Sequence, residues 1–242
     1  MQPAWHFRTA KLNQQSRAHS PTILSRESRR LIHEEVHRRT QLIGTFFLVL
    51  TIGCTVIGHE VGAVATLAIG SALMVVVFAG GHISGGHSNP AVTFGVWLRE
   101  KCEAKDVLPY MSFQIVGAVL AALAVKFLKT GSAVTPLQPA TVPALLAEFL
   151  FTFALVYVVL NVATAKGTSG NSFYGLAIGF TVLVGAFSVG NISGGAFNPA
   201  VAVGISVMGL SPWPNLWIYL LADFAGAAVA AGAFKAVNPL EA

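Results

Sequence analysis

The sequence predicts an all-α membrane protein with six transmembrane helices, two re-entrant half-helices and an inverted internal repeat. The chain of 242 residues is 54% hydrophobic and only 10% charged, whereas soluble domains average about 25% charged residues. Six apolar runs are long enough, or nearly so, to cross a bilayer. A twelve-residue motif also occurs twice, once in each half of the chain. These three observations carry the prediction.

The charges are unevenly distributed along the chain. Residues 1–39 hold eight of the fifteen Lys and Arg and three of the ten Asp and Glu, which leaves fourteen charges for the other 203 residues. A soluble globule of that size needs more polar surface. We therefore expect a disordered basic tail over 1–39 and a membrane domain over 40–242, with repeats at 40–129 and 142–240. This composition argues against a nucleic-acid binder, a secreted disulfide domain and most cytosolic enzymes.

The predicted spans come from comparing each apolar run with the roughly 20 residues that cross about 30 Å as a helix. They are Leu42–Ile57, Gly62–Phe78, Val107–Leu128, Val142–Ala165, Phe173–Val189 and Trp213–Val237. Two shorter apolar segments, Pro90–Leu98 and Pro199–Leu210, each follow a Gly-rich stretch. Because they are too short to span, we expect them to be re-entrant half-helices.

The distribution of Lys and Arg predicts the orientation. Six spans place both ends of the chain on one side, which then carries thirteen of the fifteen Lys and Arg, while Lys126 and Lys129 lie on the other. Cytoplasmic loops carry the excess of these residues, so we expect cytoplasmic termini in a multi-pass protein of the plasma membrane. Cys54 and Cys102 lie in a predicted span and a charged loop, too far apart to bridge, so we expect two free thiols.

The repeat is visible as two aligned segments. Residues 81–92 read GHISGGHSNPAV and residues 190–201 read GNISGGAFNPAV, so nine of twelve positions are identical at an offset of 109. A second match aligns residues 41–46 with 148–153 at an offset of 107. Because each half contains three spans, the second half must enter the membrane from the opposite face. Such repeats place their functional site near the bilayer midplane, where interrupted helices meet.

Both aligned segments contain an Asn-Pro-Ala motif. The motifs are Asn89, Pro90 and Ala91, and Asn198, Pro199 and Ala200. Asn is a favoured N-cap and Pro suits the first helical position, so each motif predicts the beginning of a half-helix. Two half-helices entering from opposite faces would bring their positive dipole ends and their Asn amides together. Positive helix ends repel cations, and water bonded to both amides is badly placed to relay protons. The motifs therefore predict a neutral, water-sized pore.

These motifs resemble those of the aquaporin, or major intrinsic protein, superfamily over about residues 36–240. The resemblance implies a homotetramer surrounded by membrane lipid, with one pore per subunit for water and small neutral solutes. It also identifies Asn89 and Asn198 as pore asparagines. The carbonyls that would line the pore belong to Gly85, Gly86, His87, Gly194, Gly195 and Ala196. No cofactor, metal or nucleic-acid partner is expected.

The resemblance also assigns a selectivity filter to Ile69, Ala186, Gly195 and Val201. Water-selective members combine an aromatic, a His and an Arg, and glycerol-type members combine aromatics with the Arg, whereas Val201 stands at the Arg position here. The missing Arg removes a fixed cation worth about 4 kcal/mol against a monovalent cation at about 4 Å, for an effective dielectric constant of about 20. We expect a wider, less polar filter that admits ammonia, hydrogen peroxide, urea or glycerol besides water and excludes protons less strictly.

Three of the polar residues inside predicted spans or at their ends are candidates for a functional or structural role. Glu148 is a functional candidate because intramembrane carboxylates usually are functional, and membership of a proton relay is one interpretation of its role. The resemblance implies instead that Glu148 accepts hydrogen bonds from main-chain N–H groups of a re-entrant loop, with Gln41 as its structural counterpart in the first repeat. Asp223 is expected to pair with a main-chain or hydroxyl donor.

Two other functions fit part of the pattern. A strict water channel would share the fold and both motifs. An ion-coupled secondary transporter also uses inverted repeats and broken helices, but it normally needs ionisable residues at the midplane. The midplane groups predicted here are amides, so a channel for water and small neutral solutes is the favoured function, and an enzyme is not expected.

Overall fold

The computed structural model describes residues 25–58 and 62–241, where each repeat has three long helices and one short helix between the second and the third. The helices are α1 (Arg26–Val56), α2 (Ala65–Ser84), α3 (Pro90–Leu98), α4 (Ala104–Leu128), α5 (Thr141–Val159), α6 (Tyr174–Ser193), α7 (Pro199–Met208) and α8 (Leu216–Val237). A π-helical turn, Leu160–Thr164, extends α5. Within the described residues, six helices are long and apolar enough to cross a membrane, so the predicted six-span, all-α fold is confirmed.

Helix α1 begins much earlier than the apolar pattern predicts. Its N-cap is Ser25, whose side chain accepts a hydrogen bond from the Ser28 N–H. Ion pairs spaced four residues apart, such as Arg30 with Glu34 at 2.9 Å, support the polar part of the helix. The prediction of a disordered tail is therefore wrong for residues 26–39, because these local polar contacts continue the transmembrane helix. Residues 1–24 of the predicted tail lie outside the described residues.

The two repeats pack as equivalent units that interlock. Helix α1 packs along α4 in the first repeat, α5 packs along α8 in the second, and α2 meets α6 between them. The half-helices cross over, since α3 packs against α8 and α7 packs against α4. Each half-helix is therefore held largely by a long helix of the other repeat.

Glycines turn the chain back into the bundle before each half-helix. Helix α2 ends at Gly85 with φ 81° and α6 ends at Gly194 with φ 97°. These left-handed conformations strongly favour glycine, which has no Cβ. The two loops that follow, residues 85–89 and 194–198, are the segments that the repeated motif encodes.

Candidate functional site

Both half-helices begin at the asparagines of the repeated motif. Asn89 and Asn198 have extended backbones, with φ of −159° and −164°, and each is followed by Pro at the first helical position. The Asn89 Oδ1 accepts a hydrogen bond from the Ala91 N–H at 2.8 Å. The Asn198 Oδ1 accepts one from the Ala200 N–H at 2.9 Å. Each side-chain oxygen thus caps its own helix, which leaves the amide nitrogens free to face outward.

Those amide nitrogens connect the two repeats. The Asn89 Nδ2 donates to the Phe197 carbonyl at 2.8 Å, and the Asn198 Nδ2 donates to the Ser88 carbonyl at 2.9 Å. The two helix caps therefore meet at one place in the bundle. Each carboxamide carries two N–H donors, so one donor on each asparagine is left for a molecule between them.

The residue before each asparagine is held in a strained conformation. Ser88 has φ 47° and Phe197 has φ 48°, which L-residues rarely adopt. Both main-chain groups of each residue are nevertheless hydrogen-bonded: the carbonyls accept from the opposite asparagine, and the N–H groups donate to Gln41 and Glu148. These bonds hold the two loops in matching shapes and aim both asparagines inward.

Gln41 and Glu148 are the fully buried anchors of these loops. The Gln41 Oε1 accepts from the Ser88 N–H at 2.9 Å, while its Nε2 donates to the Ser84 carbonyl at 3.1 Å. The two Glu148 oxygens accept from the N–H groups of Ala196 at 3.0 Å and Phe197 at 2.6 Å. One amide and one carboxyl thus occupy equivalent places in the two repeats.

A cavity of about 750 Å³ passes both asparagines. We call the bundle face where Arg99, Lys166 and Glu241 meet the Lys166 face, and there residues 162–166 and 168–171 line the cavity. Apolar side chains of α2, α5 and α6, such as Val77, Val159 and Val182, line much of the wall. Among the described residues, no Asp or Glu side chain lines it.

Most of the predicted site residues line this cavity. They are Asn89, Asn198, Gly85, Gly86, His87, Gly195, Ala196, Ile69 and Val201. The other predicted filter residue, Ala186, and one predicted carbonyl residue, Gly194, are not part of the lining. Ala186 lies directly behind Gly195, with its Cα 3.5 Å from the place a Cβ on Gly195 would occupy. Three of the four predicted filter residues therefore line the cavity, and Ala186 packs behind Gly195.

Behind the loops lies a second layer of polar residues that the repeated motifs do not predict. The Gln114 Nε2 donates to the Gln41 Oε1 at 2.8 Å and to the Thr93 Oγ1 at 3.0 Å. The hydroxyl of Tyr219 donates to the Ser193 carbonyl at 2.7 Å. A signal for this layer exists, because the offset of 109 continues into the last helix of each repeat. It aligns Tyr110 with Tyr219, Gln114 with Asp223 and Gly117 with Gly226.

Ionisable side chains at the site do not assemble into a metal centre. In residues 25–58 and 62–241, no group of three His, Cys, Asp or Glu side chains is arranged to hold an ion. His87, the histidine beside the first asparagine, instead places its Nδ1 3.2 Å from the Thr93 Oγ1. Cys54 and Cys102 are both free, as predicted.

Six spans, two half-helices and a cavity passing between their caps define a polytopic membrane channel. The family model described as major intrinsic protein matches residues 39–234. The chain belongs to this family, whose members are passive channels for water and small solutes rather than enzymes.

Individual relatives cover most of the chain. "Aquaporin NIP1-4" of Oryza sativa subsp. japonica is 34% identical over 209 residues, which is 82% of this chain and 75% of that protein. "Glycerol uptake facilitator protein-like 6" of Lactiplantibacillus plantarum is 37% identical over 201 residues, covering 79% and 93% of the two chains. The aquaglyceroporin structure from Plasmodium falciparum superposes with a TM-score of 0.74 at 23% identity, covering 86% of this chain and 98% of that one. This last likeness concerns the fold.

Proposed function

We propose that the chain conducts water and small neutral solutes, among them glycerol, urea, ammonia and hydrogen peroxide, along the cavity between Asn89 and Asn198. The observation that carries this proposal is the crossed pair of Asn hydrogen bonds, at 2.8 and 2.9 Å, which aligns two half-helix N-termini on one cavity. The positive ends of both helix dipoles disfavour cations there. The remaining amide donors suit the oxygen of a neutral molecule.

The lining supports a broad solute range. The filter positions Ile69, Ala186, Gly195 and Val201 carry no charge, and Val201 is 3% exposed where relatives of this family usually have Arg. A relative 37% identical to this chain bears the name of a glycerol uptake facilitator. A filter without a fixed cation imposes a weaker electrostatic penalty on protons, and its uncharged side chains leave more room for carbon-bearing solutes.

An ion-coupled transporter is less well supported by the same cavity. Coupling needs ionisable groups at the substrate site, and the described cavity wall carries neither Asp nor Glu. Its ionisable groups near the loops are the imidazoles of His82 and His87. Solute flux that saturates and depends on a proton gradient would favour the transporter over the channel.

Stopped-flow light scattering on proteoliposomes tests the channel directly. We expect water, glycerol and urea to equilibrate faster than in protein-free liposomes, without saturation. In Val201→Arg, proton flux should fall by at least about tenfold, because a fixed charge within about 4 Å of a permeating cation is worth several kcal/mol. Glycerol flux should fall as well, because the longer side chain narrows the passage. Val201→Leu is the matched control that adds bulk without charge. Wild-type vesicles permeable to water alone would indicate a strict water channel, and unchanged fluxes in Val201→Arg would refute the assigned filter.

We further propose a homotetramer in the plasma membrane with the Lys166 face in the cytoplasm. Among the described residues, Arg and Lys concentrate at that face, including Arg99, Lys105 and Lys235. Lys126 and Lys129 lie at the other end of α4, on the opposite face of the bundle. Native mass spectrometry should show four chains per particle. In intact cells, an impermeant maleimide should label a cysteine placed at Thr135 and leave one at Ser169 unlabelled. The reverse labelling would overturn the orientation.

A further inference from the structure

Two carboxyl groups face each other behind the second loop, where the first repeat has two amides. Glu148 on α5 and Asp223 on α8 are both fully buried, and their carboxyls lie within hydrogen-bonding reach of each other. Gln41 and Gln114 occupy the equivalent positions at offsets of 107 and 109. The same place in the fold therefore holds an uncharged pair in one repeat and an acidic pair in the other.

The amide pair shows what the position requires. The Gln114 Nε2 donates to the Gln41 Oε1 at 2.8 Å, so the residue on the last helix donates and the residue on the first helix accepts. Gln41 can then use the same oxygen to hold the Ser88 N–H. The loop anchor in the first repeat is thus fixed by a donor from behind.

In the second repeat, Asp223 occupies the position of the donor Gln114, and one of its carboxyl oxygens has no hydrogen-bond partner. The Asp223 Oδ1 accepts from the Thr152 hydroxyl at 2.8 Å, but the Oδ2 is buried without a hydrogen-bond partner. A buried polar atom left unpaired is costly and calls for an explanation. An ionised Asp223 cannot donate, whereas a protonated one supplies the O–H that Gln114 supplies as N–H.

The surroundings disfavour two negative charges. Glu148 already accepts from the N–H groups of Ala196 and Phe197, so its own charge is well stabilised. The other groups facing the pair are the hydroxyls of Ser193, Thr152 and Tyr219 and the main-chain amide of Asn198, none of which carries a positive charge. Two carboxylates in contact in a low-dielectric interior repel strongly, and sharing one proton removes that repulsion.

We infer that Asp223 and Glu148 hold one proton between them, and that the protonated Asp223 donates through Oδ2 to the Glu148 carboxylate. Asp223 is then a positioning residue for the second loop. It orients the carboxylate that holds Phe197 at φ 48°, and it lies beside the main-chain amide of Asn198. The chain thus maintains the same donor-to-acceptor geometry in both repeats with different chemistry.

Infrared difference spectroscopy on the reconstituted full chain at neutral pH tests the inference. The wild type should show the C=O stretching band of a protonated carboxylic acid, shifted on exchange into D2O. Asp223→Asn should abolish the band. Glu148→Gln should abolish it as well, because Asp223 then ionises against an amide donor. A wild type without this band, or a band that persists in Glu148→Gln, would overturn the shared proton.

A stability comparison separates positioning from mere packing. Asp223→Asn keeps a donor toward Glu148 and an acceptor for Thr152, so its water permeability should stay within about twofold of wild type and its thermal midpoint should be nearly unchanged. Asp223→Leu removes the donor, and permeability should fall by about tenfold or more, with a lower thermal midpoint. Equal damage in both variants would contradict the positioning role. The infrared result does not depend on transport, so vesicles that pass no solute while retaining the band would overturn only the proposed function.

Discussion

The environment of a single thiol at the Lys166 face determines its reactivity. Cys102 lies half-buried in the loop between α3 and α4, in a small cavity that Trp97 and Lys101 also line. Burial, together with the negative charges of Asp106 and Glu103, raises the pKa of the Cys102 thiol from 9.0 to about 11. Because the thiolate is the reactive form, a raised pKa means less reactive thiol at neutral pH.

We therefore expect Cys102 to alkylate about a hundredfold more slowly at neutral pH than an exposed thiol, as the two-unit rise in pKa implies. The iodoacetamide rate in detergent solution, followed by mass spectrometry in a Cys54→Ser background, should keep increasing up to about pH 11. Asp106→Asn should accelerate the reaction. A rate that already levels off near pH 9 would show that the thiol is not shielded.

Helix pairs meet through glycines at equivalent positions of the two repeats. A Cβ on Gly117 of α4 would stand 2.5 Å from the Leu42 carbonyl oxygen of α1, and a Cβ on Gly226 of α8 would stand 2.6 Å from the Phe149 carbonyl oxygen of α5. Both distances are too short for real carbon–oxygen contacts, so α1–α4 and α5–α8 can pack this closely because these positions lack side chains. Small residues have this role widely in membrane helix pairs.

Gly226→Val should force α5 and α8 apart and lower the free energy of unfolding by about 1–3 kcal/mol through overpacking. Thermal unfolding in detergent, followed by intrinsic tryptophan fluorescence, measures the loss. Gly232→Val lies on the same helix at an exposed position with no atom within 4 Å of the added Cβ, and it should change stability by less than about 0.5 kcal/mol. Similar losses in both variants would mean that helix propensity, and not packing, sets the effect.

Across the whole molecule, one carboxylate connects three elements at the Lys166 face. The Glu241 Oε2 lies 3.2 Å from the Arg99 Nη2 just after α3, and the Oε1 accepts from the Lys166 N–H at 2.7 Å in the loop before α6. Arg99 is 4% exposed, and its guanidinium also lies 4.7 Å from the centre of the Phe234 ring. The first half-helix, the end of α8 and the loop at the cavity mouth are thereby tied together.

Glu241→Gln should therefore cost about 3 kcal/mol of stability, the low end for breaking a buried ion pair, because Arg99 stays buried without its counter-charge. Limited proteolysis should also cut faster within residues 166–171. Glu100→Gln is the control: Glu100 pairs with Lys235 at 3.5 Å while 84% of its side chain is exposed, so its loss should cost less than about 1 kcal/mol. Equal effects of the two substitutions would show that Glu241 is an ordinary surface charge.

Local patterns in the sequence suffice to predict the spans and the places where the half-helices begin. Long apolar runs partition into lipid whatever surrounds them, and Asn-Pro caps a helix through bonds to residues two and three positions away. Hydropathy does not detect a polar helix that extends beyond the membrane. The prediction of disorder for residues 26–39 was wrong for this reason.

How the two halves of the site meet depends on tertiary contacts that local patterns do not predict. The amides of Asn89 and Asn198 donate to carbonyls 108 and 110 residues away, and Asp223 reaches Glu148 from another helix. Such partners are set by how α3 crosses to α8 and α7 to α4. No local pattern specifies that crossing, because it depends on glycine contacts and buried polar bonds that form only when all eight helices are in place.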